Sequence, residues 1–562
     1  MGLWCALFED ITKSVDRDLV GAQVRACLGI AAALAQGGAS GDASAGAELL
    51  WVDWLEWMSA CACAGIRRDE AVFEVILDHL VAGDLGRRIE NGPSSGAPRR
   101  RWRFVTAEAV QALAKIAVED KGWVRYHAAC ARGLLKTYGD DSHDRRGRVV
   151  AGRRAQHLIA GRRVDEALEM LLVAQKVALD SDDHLACRAY LDQRDRLLDE
   201  MEVGPGSPFR AQNDTRRARS YFLKGEIPRA QELVDRALRV FRRSDWAAET
   251  GYAMLLYGQI RTGQCRYADA LRLNDDACGY LAVAGDEHGL TRARANRAYV
   301  MMLQGRYVEA REGLLKAVAT FEALDDYFMQ AVNNNFIAQT WLGEGKYTEA
   351  VRYAELSRKL ARERGFRVVE GTAWTVFGEI ARHAEDWEQA RHHYAKALDL
   401  FQVDNSRPAH VARYNIALVE IGAQNFECAR PVLIKLIMSY VELGYQSKLP
   451  LIYAGLMVCA LGRGDWAAWD ESLARFEDSL AKISGAHEDL AWLAVRGLRY
   501  LDAVEDGSMS EDGAEFKRRR AAREVLYTLA CQQNDLLGNS ARLSALRATY
   551  ADASPTLVAQ SY

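Results

Sequence analysis

A six-residue unit recurs through the second half of this chain at a spacing of 40 residues, and that spacing constrains the fold more than anything else in the sequence. Gly305-Arg306-Tyr307-Val308-Glu309-Ala310 is followed 40 residues later by Gly345-Lys346-Tyr347-Thr348-Glu349-Ala350. Stepping back by the same interval gives Cys265-Arg266-Tyr267-Ala268-Asp269-Ala270, then Gly225-Glu226-Ile227-Pro228-Arg229-Ala230. Stepping forward gives Glu385-Asp386-Trp387-Glu388-Gln389-Ala390 and, one residue short, Gln424-Asn425-Phe426-Glu427-Cys428-Ala429. The last copy is Gly464-Asp465-Trp466-Ala467-Ala468-Trp469. A fixed period of this length means stacked copies of one small unit, each burying its face against its neighbours.

Other positions keep the register. Seven residues before the turn residue stand Ala218, Gly258, Ala298, Ala338, Gly378, Ala417 and Met457. Twelve after it stand Ala237, Ala277, Ala317, Ser357 and Ala397, and sixteen after it Phe241, Leu281, Phe321, Ala361 and Phe401. The turn residue ends a first helix where the chain must go left-handed, which favours glycine. The aromatic two residues on covers the turn, and the small residues let paired helices approach. Pro228 falls in the first turn of a second helix, where its missing N–H costs nothing.

Composition agrees with helix throughout. Only 9 of 562 residues are proline, against about 28 at average usage, and proline inside a helix costs about 3 kcal/mol. Lys and Arg number 73 against 77 Asp and Glu, a net charge of −4, without the basic surplus of a general nucleic-acid binder. No run of about 18 apolar residues suggests a membrane helix, and the N-terminus does not read as a secretory signal. Eleven cysteines, odd in number and scattered, suggest a reducing cytoplasm rather than a disulfide framework.

These residues resemble the tetratricopeptide repeat in its longer, 40-residue form, as seven units over about 212–480. The resemblance implies an all-α, right-handed superhelical solenoid whose first helices line a concave groove. It places groove-facing side chains about six residues before each turn (Arg219, Gln259, Tyr299, Gln339, Glu379) and about ten before it (Thr215, Leu255, Ala295, Asn335, Thr375, Tyr414). Arg219, Gln259, Tyr299, Asn335, Gln339, Thr375, Glu379 and Tyr414 are the candidate residues for holding an extended peptide or protein segment. Asn335 and Gln339 stand at i, i+4.

Residues 151–208 read as a degenerate repeat (Ala160-Gly161-Arg162-Arg163-Val164-Asp165-Glu166-Ala167), a polar helix over about 184–201, and a hinge loop at 203–208. Ahead of it, 1–65 is an N-terminal helical segment with Trp51, Trp54 and Trp57 on one helix as core, and a loose Gly/Ala/Ser loop at 37–46. Residues 66–150 read as winged-helix-like, with a two-stranded wing (85–90 and 99–105) about a loop at 92–98 and a helix capped by Thr106. Residues 481–562 read as capping helices. Arg101-Trp102-Arg103-Phe104, Tyr126-His127-Ala128-Ala129 and His157-Leu158-Ile159-Ala160-Gly161 resemble the stretch joining the ATPase to the repeats in signal-transduction ATPases with numerous domains. Maltose-regulon-activator-like regulators and bacterial kinase–ATPase–repeat proteins belong to that group. There is no GxxxxGK[ST], so the resemblance implies the sensor half without a nucleotide-binding half.

No HExxH, paired CxxC or dinucleotide fingerprint occurs. The expectation is a cytoplasmic, non-enzymatic scaffold or sensor without cofactor or metal. It would bind a protein or peptide through its groove and regulate a signalling partner such as an ATPase, kinase or protease. The alternative is a transcriptional regulator whose wing touches DNA, motivated by Arg87, Arg88 and Arg99–Arg103.

Overall fold

In the computed structural model, residues 2–14, 21–37, 51–67, 69–89, 100–139, 145–181, 183–401, 406–442, 446–481, 487–504 and 513–550 are described. The chain divides into two compact units, 1–204 and 205–562.

The first unit runs α1 (Gly2–Ser14), α2 (Gly21–Gly37), β1 (Trp51–Asp53), α3 (Trp54–Cys63), α4 (Glu70–Ala82), β2 (Gly86–Ile89), β3 (Arg101–Phe104), α5 (Ala107–Glu119), α6 (Trp123–Tyr138), α7 (Arg145–Ala160), α8 (Val164–Asp180) and α9 (His184–Glu200). The wing expected as two strands is a three-stranded antiparallel sheet in the order β1-β3-β2, with Trp102 opposite both Val52 and Arg88. The expectation that Trp51 shares a helix with Trp54 and Trp57 is corrected by the same observation. Asp53 accepts from the Leu55 and Glu56 N–H groups, so the helix starts at Trp54 and Trp51 is left in the strand. Trp57 sits edge-on to Phe73, with centroids 4.7 Å apart, and donates its indole N–H to the Cys27 carbonyl at 2.8 Å. Thr106 accepts from Ala109 N–H and caps α5. The loop expected at 92–98, and that at 37–46 beyond Gly37, lie outside the described residues.

The second unit opens with seven antiparallel helix pairs. They are α10 (Pro208–Lys224) with α11 (Ile227–Phe241), α12 (Ala247–Gly263) with α13 (Tyr267–Val283), α14 (Glu287–Leu303) with α15 (Tyr307–Ala323), and α16 (Tyr327–Gly343) with α17 (Tyr347–Arg364). The series continues with α18 (Arg367–His383) and α19 (Trp387–Leu400), α20 (Arg407–Gly422) and α21 (Phe426–Glu442), and α22 (Leu449–Gly462) and α23 (Trp466–Leu480). Three helices follow, α24 (Glu488–Val504), α25 (Ala514–Leu536) and α26 (Ser540–Thr549).

Every turn residue of the repeat has positive φ, whatever its type: Gly225, Cys265, Gly305, Gly345, Glu385, Gln424 and Gly464. At Cys265 the helix closes with Cys265 N–H to Thr262 O and Arg266 N–H to Arg261 O, a Schellman end that uses the last carbonyls. The repeat's small positions are buried, from Ala230 to Ala429 and from Ala237 to Ala397. The aromatic after the turn reaches the next repeat. The Phe426 ring lies 2.1 Å from where a Cβ on Gly462 would stand, and Trp387 lies 2.5 Å from that of Gly422. Glycine is required there to let the ring in.

Each first helix touches the first helix of the next repeat, and second helices make no comparable mutual contact. The first helices are therefore the crowded, inner side of the array. The array also meets itself far along the chain. Ser447 donates to the Gly263 carbonyl at 2.9 Å, and Arg407 lies over the Phe222 ring at 5.4 Å. The first two repeats thus abut the sixth and seventh. Helix α24 ties to the fifth through Arg496 and Arg499 on Glu385 at 2.6 and 3.1 Å.

Candidate functional site

Two stripes of first-helix side chains were expected to open onto the groove, and the structure separates them. The far stripe is buried throughout, at Thr215, Leu255, Ala295, Asn335, Thr375 and Tyr414. These side chains sit where successive first helices press together, and that crowding corrects the expectation for Asn335, Thr375 and Tyr414. Asn335 donates to the Val369 carbonyl of the next repeat, and Thr375 donates back to Gly371 O. The near stripe is half-buried: Arg219, Gln259, Tyr299, Gln339 and Glu379. Arg219 donates to Gln259 across one repeat at 3.4 Å.

Three further inner-face positions lie nine and thirteen residues before the turns, one and two helical turns behind the near stripe. They were missed because the expectation fixed only two offsets. Tyr252 is flanked by Arg216 and Arg292, each 5.7 Å from its ring, and its hydroxyl donates to Asp286 at 2.7 Å. Phe336 packs on Tyr299 with centroids 4.4 Å apart. Asn296 is half-buried, and its amide nitrogen is buried without a hydrogen-bond partner among the described residues. A period of i, i+4, i+7 carries the face along each helix. It runs Gln212, Arg216, Arg219 in the first repeat and Arg292, Asn296, Tyr299 in the third.

The far end of the face is closed by the chain's own C-terminal helices. Arg382 donates to Asp489 of α24 at 3.0 Å, and Asn415 donates to Glu379 at 3.3 Å. Burial pushes the Glu379 carboxyl up to about 7, against the pull of Arg382. Burial also raises the Tyr394 and Tyr414 hydroxyls, against the pull of Arg382. Asp489 is pushed up by burial, but Arg382 outweighs this and holds it below the ordinary carboxylate range. The Leu537 carbonyl, just after α25, also reaches the turn of the third repeat, 3.1 Å from where a Cβ on Gly305 would stand.

In the first unit, the two histidines of the resemblance motifs meet in the interior. His127 and His157 share a 2.9 Å Nδ1–Nδ1 hydrogen bond, so one ring donates and the other accepts. Burial holds both below the usual histidine range, His127 at about 4. Beside them Glu56 receives Arg153 bidentately at 2.9 and 2.6 Å and the Tyr138 hydroxyl at 2.6 Å. The two histidines, Glu56 and Arg153 are buried, and His127 Nε2, His157 Nε2 and Arg153 Nε have no hydrogen-bond partner among the described residues.

The chain is an all-α array of tetratricopeptide-type helix pairs, preceded by a helical unit with a small sheet. No protein-family model matches it, and no curated protein sequence does. Among solved structures, a Rap protein complexed with competence and sporulation factor is similar at 14% identity over 69% of this chain and 99% of that one, with a TM-score of 0.47. A signal-transduction ATPase with numerous domains and a tetratricopeptide repeat sensor, from Pyrococcus horikoshii, is similar at 13% identity over 84% of this chain and 64% of that one, with a TM-score of 0.48. NprR in complex with its cognate peptide NprX matches at 17% identity over 63% of this chain and 98% of that one, with a TM-score of 0.43.

Proposed function

We propose that this chain is a non-enzymatic sensor or scaffold that takes a peptide or protein segment on the inner face of repeats one to four and so regulates a signalling partner. The observation that carries this reading is the face itself. It combines half-buried arginine, amide and aromatic side chains on helices held by their neighbours. Polar groups fixed at a partly desolvated surface bind more strongly than the same groups in water. A pull-down from native cell extract, with and without Arg219→Ala plus Gln339→Ala, tests it. An unchanged partner set would overturn the groove reading.

The DNA-contacting alternative is less well supported. Helix α4, which precedes the wing, carries Glu70, Glu74 and Asp78. These acids take up two of the arginines that motivated that reading: Arg88 contacts Glu74 and Asp78, and Arg100 contacts Glu70 and Glu74. A DNA-facing helix with three acids and no lysine or arginine repels phosphate.

A further inference from the structure

The inner face is rich in donors and poor in acceptors. The seven first helices together hold thirteen Arg or Lys and six Asp or Glu, whereas the seven second helices hold sixteen and nineteen. The first helices therefore carry the surplus of positive charge, although Arg297 among them pairs with Asp275 of a second helix. At the inner-face positions named above, Arg216, Arg219 and Arg292 supply the charge of the first three repeats. Arg292 is half-buried and rests on the Tyr252 ring, and it makes no ion pair among the described residues. Arg216 approaches the other flank of Tyr252, already sharing Glu249 at 3.2 Å. Tyr252 cannot drift, because its hydroxyl is held by Asp286. Immediately beyond lies the apolar step made by Tyr299 and Phe336.

A half-buried guanidinium without an ion-pair partner calls for an anion. We infer that the segment bound on the inner face is acidic: an Asp or Glu carboxylate lies on Arg292, and an apolar side chain next to it packs on Tyr299 and Phe336. This inference rests on the groove reading above and adds the chemistry of the ligand. Charge complementarity selects an acidic segment over a basic one, and the aromatic step selects an acidic-apolar segment over a purely acidic one.

Display selection of random twelve-residue peptides on the full chain tests both layers. Selected peptides are kept if their binding weakens with Gln259→Trp, which crowds the face without changing its charge. The kept pool is expected to be enriched in Asp and Glu beside apolar residues. Its affinity should drop about tenfold or more with Arg292→Gln, as expected when one charged hydrogen-bonding group is lost, and should fall with added salt. A kept pool without acidic enrichment, or one indifferent to Arg292→Gln, overturns the acidic-ligand inference and leaves the groove reading standing. A selection that yields peptides, none of which responds to Gln259→Trp or to Tyr299→Ala, overturns both. So does a selection that yields no binders.

Discussion

Arg382 and Asp489 stand 107 residues apart in sequence and 3.0 Å apart in space, with only 5% and 16% of their side chains exposed. One belongs to the fifth repeat and the other to the first turn of α24. A charge pair this enclosed is held in place by the cost of separating it.

Asp489→Ala should therefore be severe. It strands a buried guanidinium, which typically costs about 3–5 kcal/mol. Urea unfolding should show that loss, and hydrogen exchange should show α24 opening first. Arg382→Met with Asp489→Leu removes both charges and should recover most of the stability. A single Asp489→Ala that stays within about 1 kcal/mol of the parent would mean that solvent already screens the pair.

Glu379 gives the same seam a pH dependence. Its folded pKa is raised from 4.5 to about 7, so the folded state holds a proton that the unfolded chain has released. Stability from this group is fully present below about 4.5 and is lost as pH rises through about 7. Thermal midpoints should fall between pH 5 and pH 8, and Glu379→Gln should flatten that slope and raise the midpoint at pH 8. Because Glu379 is half-buried, the size of the effect is discounted for solvent screening.

The turns make a paired prediction. Gln424 is exposed and held at φ 62, where a side chain costs roughly 1–2 kcal/mol. Gln424→Gly should stabilise the array by about 1 kcal/mol after its entropic cost. Gly345 is at φ 73 with open space around its missing Cβ, so Gly345→Ala should destabilise through backbone strain alone. Chemical denaturation of both variants gives the two signs, and equal signs would show that the turns relax.

The histidine pair acts in the opposite pH direction. His127 and His157 have folded pKa values below the usual 6.5, so their contribution is present above about 6.5 and lost as pH falls toward about 4. Hydrogen exchange of the full chain at pH 7 and pH 5 should show α6 and α7 losing protection at the lower pH. His157→Phe, though it repacks the site, should remove most of that pH difference.

The repeat was legible because its physics is local. A left-handed turn, an aromatic two residues later and an alanine five residues later each leave a mark at fixed spacing. The positive φ at Cys265, Glu385 and Gln424 shows the spacing outweighing residue preference. What stayed hidden depends on contacts between distant segments. Nothing at Trp51 announces that β3 will draw it into a sheet, and nothing near Arg382 points to Asp489. The near stripe of the groove was read from family geometry, yet the same geometry put Asn335 and Thr375 in the open, because how tightly successive first helices crowd is set by their summed side-chain volumes. Arg216, Tyr252, Arg292 and Phe336 carry the i, i+4 and i+7 signal that would have found them.

The meeting of Ser447 with Gly263 changes how such an array comes apart. Stacked repeats whose contacts are all between neighbours can fray inward from either end, one unit at a time. Here the second repeat also holds the segment just before the seventh, a contact between segments 184 residues apart. Such a contact adds contact order to an otherwise local stack, so Ser447→Ala should let the repeats between them open more readily.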